Sequence, residues 1–288
     1  MTDYTGKIKI YVYSSLILSL ICTLLYCTSY LFFYEADIGY FKSSALLPVI
    51  SGALTVTSVV FMLTAFITIP KGTLPAAAVT YGRPSKLAAS VCAAGFLGYA
   101  AFRLLSLQNE PTASPPLTLS CIILSALSAP FFLIIAFRSN NAGGGRVFAG
   151  FFPIFWVAVA MSESYTNKLV AMNNPVKVSF LMAALAVMLF MLYELRYLLG
   201  RGMPRAFLVF TLAGIHVLAV FAVPTLLLAI AQIYKLTDIS AGAVVCLLLG
   251  LYIAARLREF YIFLMGHTQE VPEPSGAENP AESLSEDV

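Results

Sequence analysis

From Ala206 to Ile233 the chain reads AFLVFTLAGIHVLAVFAVPTLLLAIAQI, without one Asp, Glu, Lys or Arg. A helix rises about 1.5 Å per residue and the hydrocarbon core of a bilayer is about 30 Å thick, so roughly 20 apolar residues cross it. The run exceeds that length. Its apolar residues do not alternate with polar ones as in a membrane β-strand, and in lipid only helices or closed barrels satisfy the backbone, so it reads as a transmembrane helix.

Seven other runs share this character, at 10–33, 44–68, 87–106, 118–137, 147–165, 178–199 and 240–264. Together they predict an all-α bundle of eight transmembrane helices. Composition agrees, because 60% of the 288 residues are hydrophobic and only 11% are charged, against about a quarter charged in soluble proteins. The first run follows a basic amino terminus, but it is too long for a signal-peptide core. It ends in Tyr30-Leu31-Phe32-Phe33-Tyr34 without a small-x-small site, so an uncleaved first span is expected.

Cytoplasmic loops carry the excess of Lys and Arg. Lys7, Lys9, Lys71, Arg83, Lys86, Arg138, Arg146, Arg196, Arg201, Arg205, Arg256 and Arg258 fall on one side of an eight-span layout, whereas Lys42, Arg103, Lys168, Lys177 and Lys235 fall on the other. The richer side holds both termini and is expected to be cytoplasmic. The organisation is then a cytoplasmic amino terminus over 1–9, a transmembrane domain over 10–266 and an acidic, Pro-containing tail over 267–288 that is too polar to bury a core and is expected to be disordered. Short loops without an organellar targeting peptide suit a bacterial cytoplasmic membrane.

Several function classes find no support. No loop is long enough for a soluble catalytic domain, and there is no Walker, HExxH or GxSxG motif. The net charge of +3 is spread out, so no nucleic-acid surface is expected. Cys22, Cys27, Cys92, Cys121 and Cys246 lie in apolar runs with neither CxxC spacing nor a neighbouring His, and read as small hydrophobes. No metal, cofactor or catalytic residue is assigned.

Ionisable groups inside hydrocarbon are costly, so each is a functional candidate. His216 falls near the middle of the seventh run, and Pro224, eight residues on, frees a carbonyl and is expected to kink the helix. A relay or ligand contact fits His216, as does a neutral imidazole bonded to a neighbouring hydroxyl. The fifth run is interrupted at Gly150 and Pro153, a pattern that marks solute sites in transporters. Glu163 ends that run, and Arg103 at the matching end of the third run is its candidate partner, unless both reach toward headgroups. Glu194 and Arg256 come at similar depth near the other face, where with Arg196, Arg258 and Glu259 they could form a structural ion-pair cluster. Ser90, Ala94 and Gly98 are expected to form a close-packing face, and Ser15, Ser19, Cys22, Thr23, Tyr26 and Tyr30 a stripe facing protein.

The leading expectation is a small-solute transporter or permease-like protein with a polar site between the fifth and seventh spans, built from His216, Glu163, Arg103, Pro153 and Pro224. Two alternatives stand beside it. One is a non-catalytic membrane subunit or scaffold whose basic loops and acidic tail meet a partner protein. The other is an enzyme acting on a lipid-linked substrate through Glu163 or Glu194.

Overall fold

The computed structural model describes residues 2–35, 38–69, 74, 80–107, 114–138, 144–167, 171–231 and 238–269. Its helices are α1 (Thr2–Phe33), α2 (Leu46–Thr68), α3 (Arg83–Ser106), α4 (Pro115–Phe137), α5 (Gly144–Ala149), α6 (Phe151–Thr166), α7 (Pro175–Leu198), α8 (Pro204–Ile230) and α9 (Asp238–Gln269). With α5 and α6 taken together as the fifth span, eight helical segments among the described residues are long and apolar enough to cross a membrane. The protein is a multi-pass membrane protein. A two-stranded hairpin, β1 (Tyr34–Glu35) and β2 (Tyr40–Phe41), follows α1. Of the residues used for orientation, Lys71, Lys168 and Lys235 lie outside the described residues, as does 270–288 of the expected tail.

Local chemistry sets the helix ends. Proline stands in the first turn of α3, α4, α7 and α8, where its missing N–H is unneeded and its fixed φ suits a helix. Asn174 caps α7, its Oδ1 accepting from the Val176 and Lys177 amides at 2.9 and 3.2 Å. The far end of α7 closes on Gly200 at φ +69°, with the Arg201 amide donating to the Arg196 carbonyl at 2.9 Å; only glycine takes that left-handed geometry without strain. Arg205, at the start of α8, donates to the Phe66 and Ile69 carbonyls at 3.1 and 2.6 Å, covering the carboxyl end of α2.

The break in the fifth span has a definite origin. Pro153 offers no amide to the Ala149 carbonyl and its ring crowds that group, so α5 stops at Ala149 and α6 starts at Phe151. Gly150 sits at the junction, where an added Cβ would lie 2.2 Å from Leu195 Cδ2 and 2.9 Å from Phe131 Cε2. The other internal prolines behave differently. Both α4 and α8 continue as single helices through Pro130 and Pro224.

Five segments close a ring. Helix α3 packs on α4, α4 on α6, α6 on α7, α7 touches α9, and α9 returns to α3. Behind it α8 is wedged against α7 and α9, and α1 and α2 pack on its other side. This layering explains why the apolar window of α8 is 78% buried while that of α2 is only 17% buried.

The inward stripe of α1 is as the hydroxyl pattern implies, with Ser15, Ser19, Cys22, Thr23 and Tyr30 buried. Ser19, Thr23 and Ser29 donate to carbonyls four residues back in their own helix, as isolated hydroxyls in lipid tend to do. The small-residue face of α3 differs from expectation. Ala94 and Gly98 are exposed, and the packed face is Ser85, Ala89, Cys92, Ala93, Phe96 and Ala100. Phe96 decides the rotation, because its ring must leave lipid for the aromatic interior formed by Phe132 and Trp156.

Candidate functional site

At one end of the ring the last turns of α3 and α6 bring a guanidinium and a carboxylate together. Arg103, 2% exposed, donates from Nη2 to Glu163 Oε1 in an ion pair. Thr118, in the first turn of α4, donates its hydroxyl to the same oxygen at 2.5 Å. Lys177 comes from the start of α7, is also buried, and donates from Nζ to the Asn167 carbonyl at 2.9 Å. Arg103, Glu163 and Lys177 border a cavity of about 70 Å³ lined also by Tyr99, Trp156 and Phe180. That is well above the roughly 10–15 Å³ a single water needs, so it has room for more than one water or for a solute of a few heavy atoms.

The aromatic lining continues away from this cavity along the ring. Tyr99 and Trp156 meet edge to face at 5.6 Å, Trp156 and Phe96 at 5.0 Å, Phe96 stacks on Phe132 at 5.4 Å, and Phe132 meets Tyr252 at 5.4 Å. Helices α3, α4, α6 and α9 each contribute to this column. Tyr252 ends it in a second charged cluster, which reaches Ser85 at the amino end of α3, roughly 27 Å along that helix from Arg103.

Glu194 of α7 is fully buried there, and its Oε1 accepts from Tyr81 Oη at 2.7 Å, Arg256 Nε at 2.9 Å and Tyr252 Oη at 3.2 Å. Arg256 also donates from Nη1 to Glu259 at 2.8 Å and to the Thr80 carbonyl at 3.4 Å. Its guanidinium carbon is 4.0 Å from the Tyr81 ring centroid, and that of Arg146, from α5, is 5.1 Å from it. Glu259 Oε1 receives the Gly82 and Ser85 amides at 2.8 and 3.3 Å, so a carboxylate of α9 sits on the amino end of α3. Burial and the Glu194 charge push the Tyr81 phenol well above its ordinary range, keeping it a donor.

Against the sequence-based candidates, the structure brings Arg103 to Glu163 and Arg256 to both Glu194 and Glu259. Arg196 and Arg258 are exposed, since each lies two residues from Glu194 or Arg256, a rotation of about 200° about its helix. His216 is buried on the face of α8 turned to α1, with Nδ1 3.0 Å from Ser19 Oγ. Because Ser19 donates to the Ser15 carbonyl at 2.7 Å, its oxygen is the acceptor and the imidazole proton is assigned to Nδ1. Helix α7 stands between α6 and α8, so His216 is not among the residues lining the Glu163 cavity. Pro153 shapes the α5–α6 break, and Pro224 is packed in the core of α8.

No protein-family model, curated protein or solved structure matches the chain. Among the described residues, no group of three or more His, Cys, Asp or Glu side chains could hold a metal ion.

Sequence reasoning missed Tyr81, Tyr252, Thr118, Lys177 and the column between the clusters. A tyrosine in an apolar run carries no mark separating a lipid-facing ring from one aimed at a carboxylate. The one available signal was positional. Tyr81 immediately precedes Gly82-Arg83-Pro84, the start of a helix whose far end holds Arg103.

Proposed function

We propose that this protein binds and carries a small polar solute, with its site in the cavity beside Arg103 and Glu163. The supporting observation is the cavity itself, in which two buried cationic side chains and a carboxylate surround space floored by aromatic rings. Charged groups in hydrocarbon cost several kcal/mol each on the milder scales, and a purely structural ion pair is often replaceable by apolar packing. A cavity kept open beside such a pair is better suited to exchange contacts with a solute. The cavity lining comes from α3, α6, α7 and α9, so this reading keeps the fifth span and puts the third, sixth and eighth spans in place of the seventh.

The test is thermal stability of the purified protein across a panel of amino acids, short carboxylates and sugars. A solute at 100 times its Kd raises stability by about 2.7 kcal/mol. The shift is expected in the wild type and lost in Glu163→Gln. A panel without any shift, repeated with no uptake into proteoliposomes, counts against the reading.

We further infer that both termini lie in the cytoplasm, on the strength of the Lys and Arg asymmetry, and that the membrane is a bacterial cytoplasmic one, on the strength of the short loops. Reporter fusions at Met1 and Val288 are expected to face the same side, and opposite sides would overturn the arrangement. A second reading, a subunit docking a partner protein at the Tyr81 end, draws on the exposed Arg83, Arg196, Arg201 and Arg258 there. Gentle purification that yields this chain alone would argue against it.

A further inference from the structure

We propose that the axis of the five-segment ring is the solute path, held shut by the aromatic column from Tyr99 to Tyr252 and locked at its far end by the Tyr81 segment. The proposal rests on the transport reading of the Arg103–Glu163 cavity and adds to it the route and the closing device.

Three observations carry it. The column begins at two lining residues of the cavity, Tyr99 and Trp156, and runs without a gap through Phe96 and Phe132 to Tyr252. Tyr252 is at once the last ring of the column and a donor to Glu194, so the column and the lock share a residue. The lock itself is not a ring helix. Thr80, Tyr81 and Gly82 are a short non-helical stretch ahead of α3, held by the side chains of Glu194, Arg256 and Glu259 from α7 and α9.

That construction suits a gate. Releasing these three residues breaks three hydrogen bonds and the contacts of two guanidinium groups with the Tyr81 ring without unwinding a helix, whereas moving a ring helix disrupts packing along a whole helix face. When Tyr81 leaves, Glu194 loses one of its three donors, and Tyr252 can turn toward the freed space. The edge-to-face contact between Phe132 and Tyr252 is then the next to open. Side-chain rotations of this kind suffice for a passage of a few heavy atoms, the size the cavity accepts.

Cys121 provides a native reporter. Its Sγ lies 3.6 Å from Tyr99 Oη, beside the cavity floor and near the start of the column. The full-length protein is reconstituted in liposomes and a membrane-impermeant charged maleimide is added from either side, with each cysteine followed by peptide mass spectrometry. From the Tyr81 side, Cys121 is expected to stay unlabelled in the wild type. Glu259→Gln, which weakens the hold on Gly82 and Ser85, is expected to raise its labelling from that side roughly tenfold through a more populated open state. Phe132→Leu, a milder change within the column, is expected to act in the same direction. Cys22, which meets Ser58 of α2 outside the ring, serves as the control whose labelling stays unchanged.

The path is overturned if Cys121 remains unlabelled from the Tyr81 side in both variants while hydrogen exchange shows the 80–85 amides released. It is equally overturned if Cys22 gains labelling alongside Cys121 in both variants, because the column then has no special role. Solute-induced stabilisation separates the two readings. A ligand that binds with no labelling removes the path alone, and labelling without any bound ligand in the panel removes the cavity reading.

Discussion

Arg256 and Glu194 are the residues on which the far end of the bundle depends. Removing one member of a buried pair strands the other, at a cost of about 3–5 kcal/mol, more than the pair contributes when intact. Arg256→Ala is therefore expected to lower the thermal unfolding midpoint in detergent sharply, and Glu194→Gln with Arg256→Met to recover much of the loss. Arg196→Ala and Arg258→Ala, at exposed neighbouring positions, should stay within about 0.5 kcal/mol of wild type. At this scale the sequence revealed which charges were costly but not what they meet. Depth along a run pairs Arg103 with Glu163 and Glu194 with Arg256, since a helix advances a fixed distance per residue. Rotation about the helix axis is set by packing partners far away in the chain, and that is why Arg196 and Arg258 looked like members of the cluster while Tyr81 and Tyr252 did not.

Among the elements, the broken fifth span gives the sharpest expectation. Gly150→Ala drives a methyl into Leu195 and Phe131, and overpacking of this sort costs about 1–3 kcal/mol. Gly98→Ala on α3 meets nothing within 4 Å and should be neutral or slightly stabilising through helix propensity. Thermal melts of the two variants side by side check the contrast. The interruption at Gly150 and Pro153 was legible because proline acts through its own backbone, whatever the surroundings. The facing of α3 was not, because Ser90, Ala94 and Gly98 form as regular a stripe as the one that packs. The weight of Phe96 is felt only when Trp156 and Phe132 are in place.

For the whole molecule, eight apolar runs were enough to obtain eight crossings, since lipid permits the backbone few alternatives. Their arrangement was not in the runs. The seventh span looked like a wall of the polar site because it holds His216, yet it forms the packed centre between the ring and the α1–α2 pair. His216→Gln, which can keep a bond to Ser19 while losing the imidazole, is accordingly expected to leave solute-induced stabilisation intact. Loss of that stabilisation would return His216 to the binding site.

The contact between Ser19 and His216 joins residues 197 positions apart. At a synthesis rate of about 5–20 residues per second, α1 waits roughly 10–40 s in the bilayer before α8 is made. Its hydroxyls can wait because they are turned back on their own carbonyls, which hides their polarity until the late helix arrives. A chain cut off before Pro204 would strand the first two spans in that interval for good, and it should be degraded by membrane proteases far faster than the full-length protein in a pulse-chase experiment.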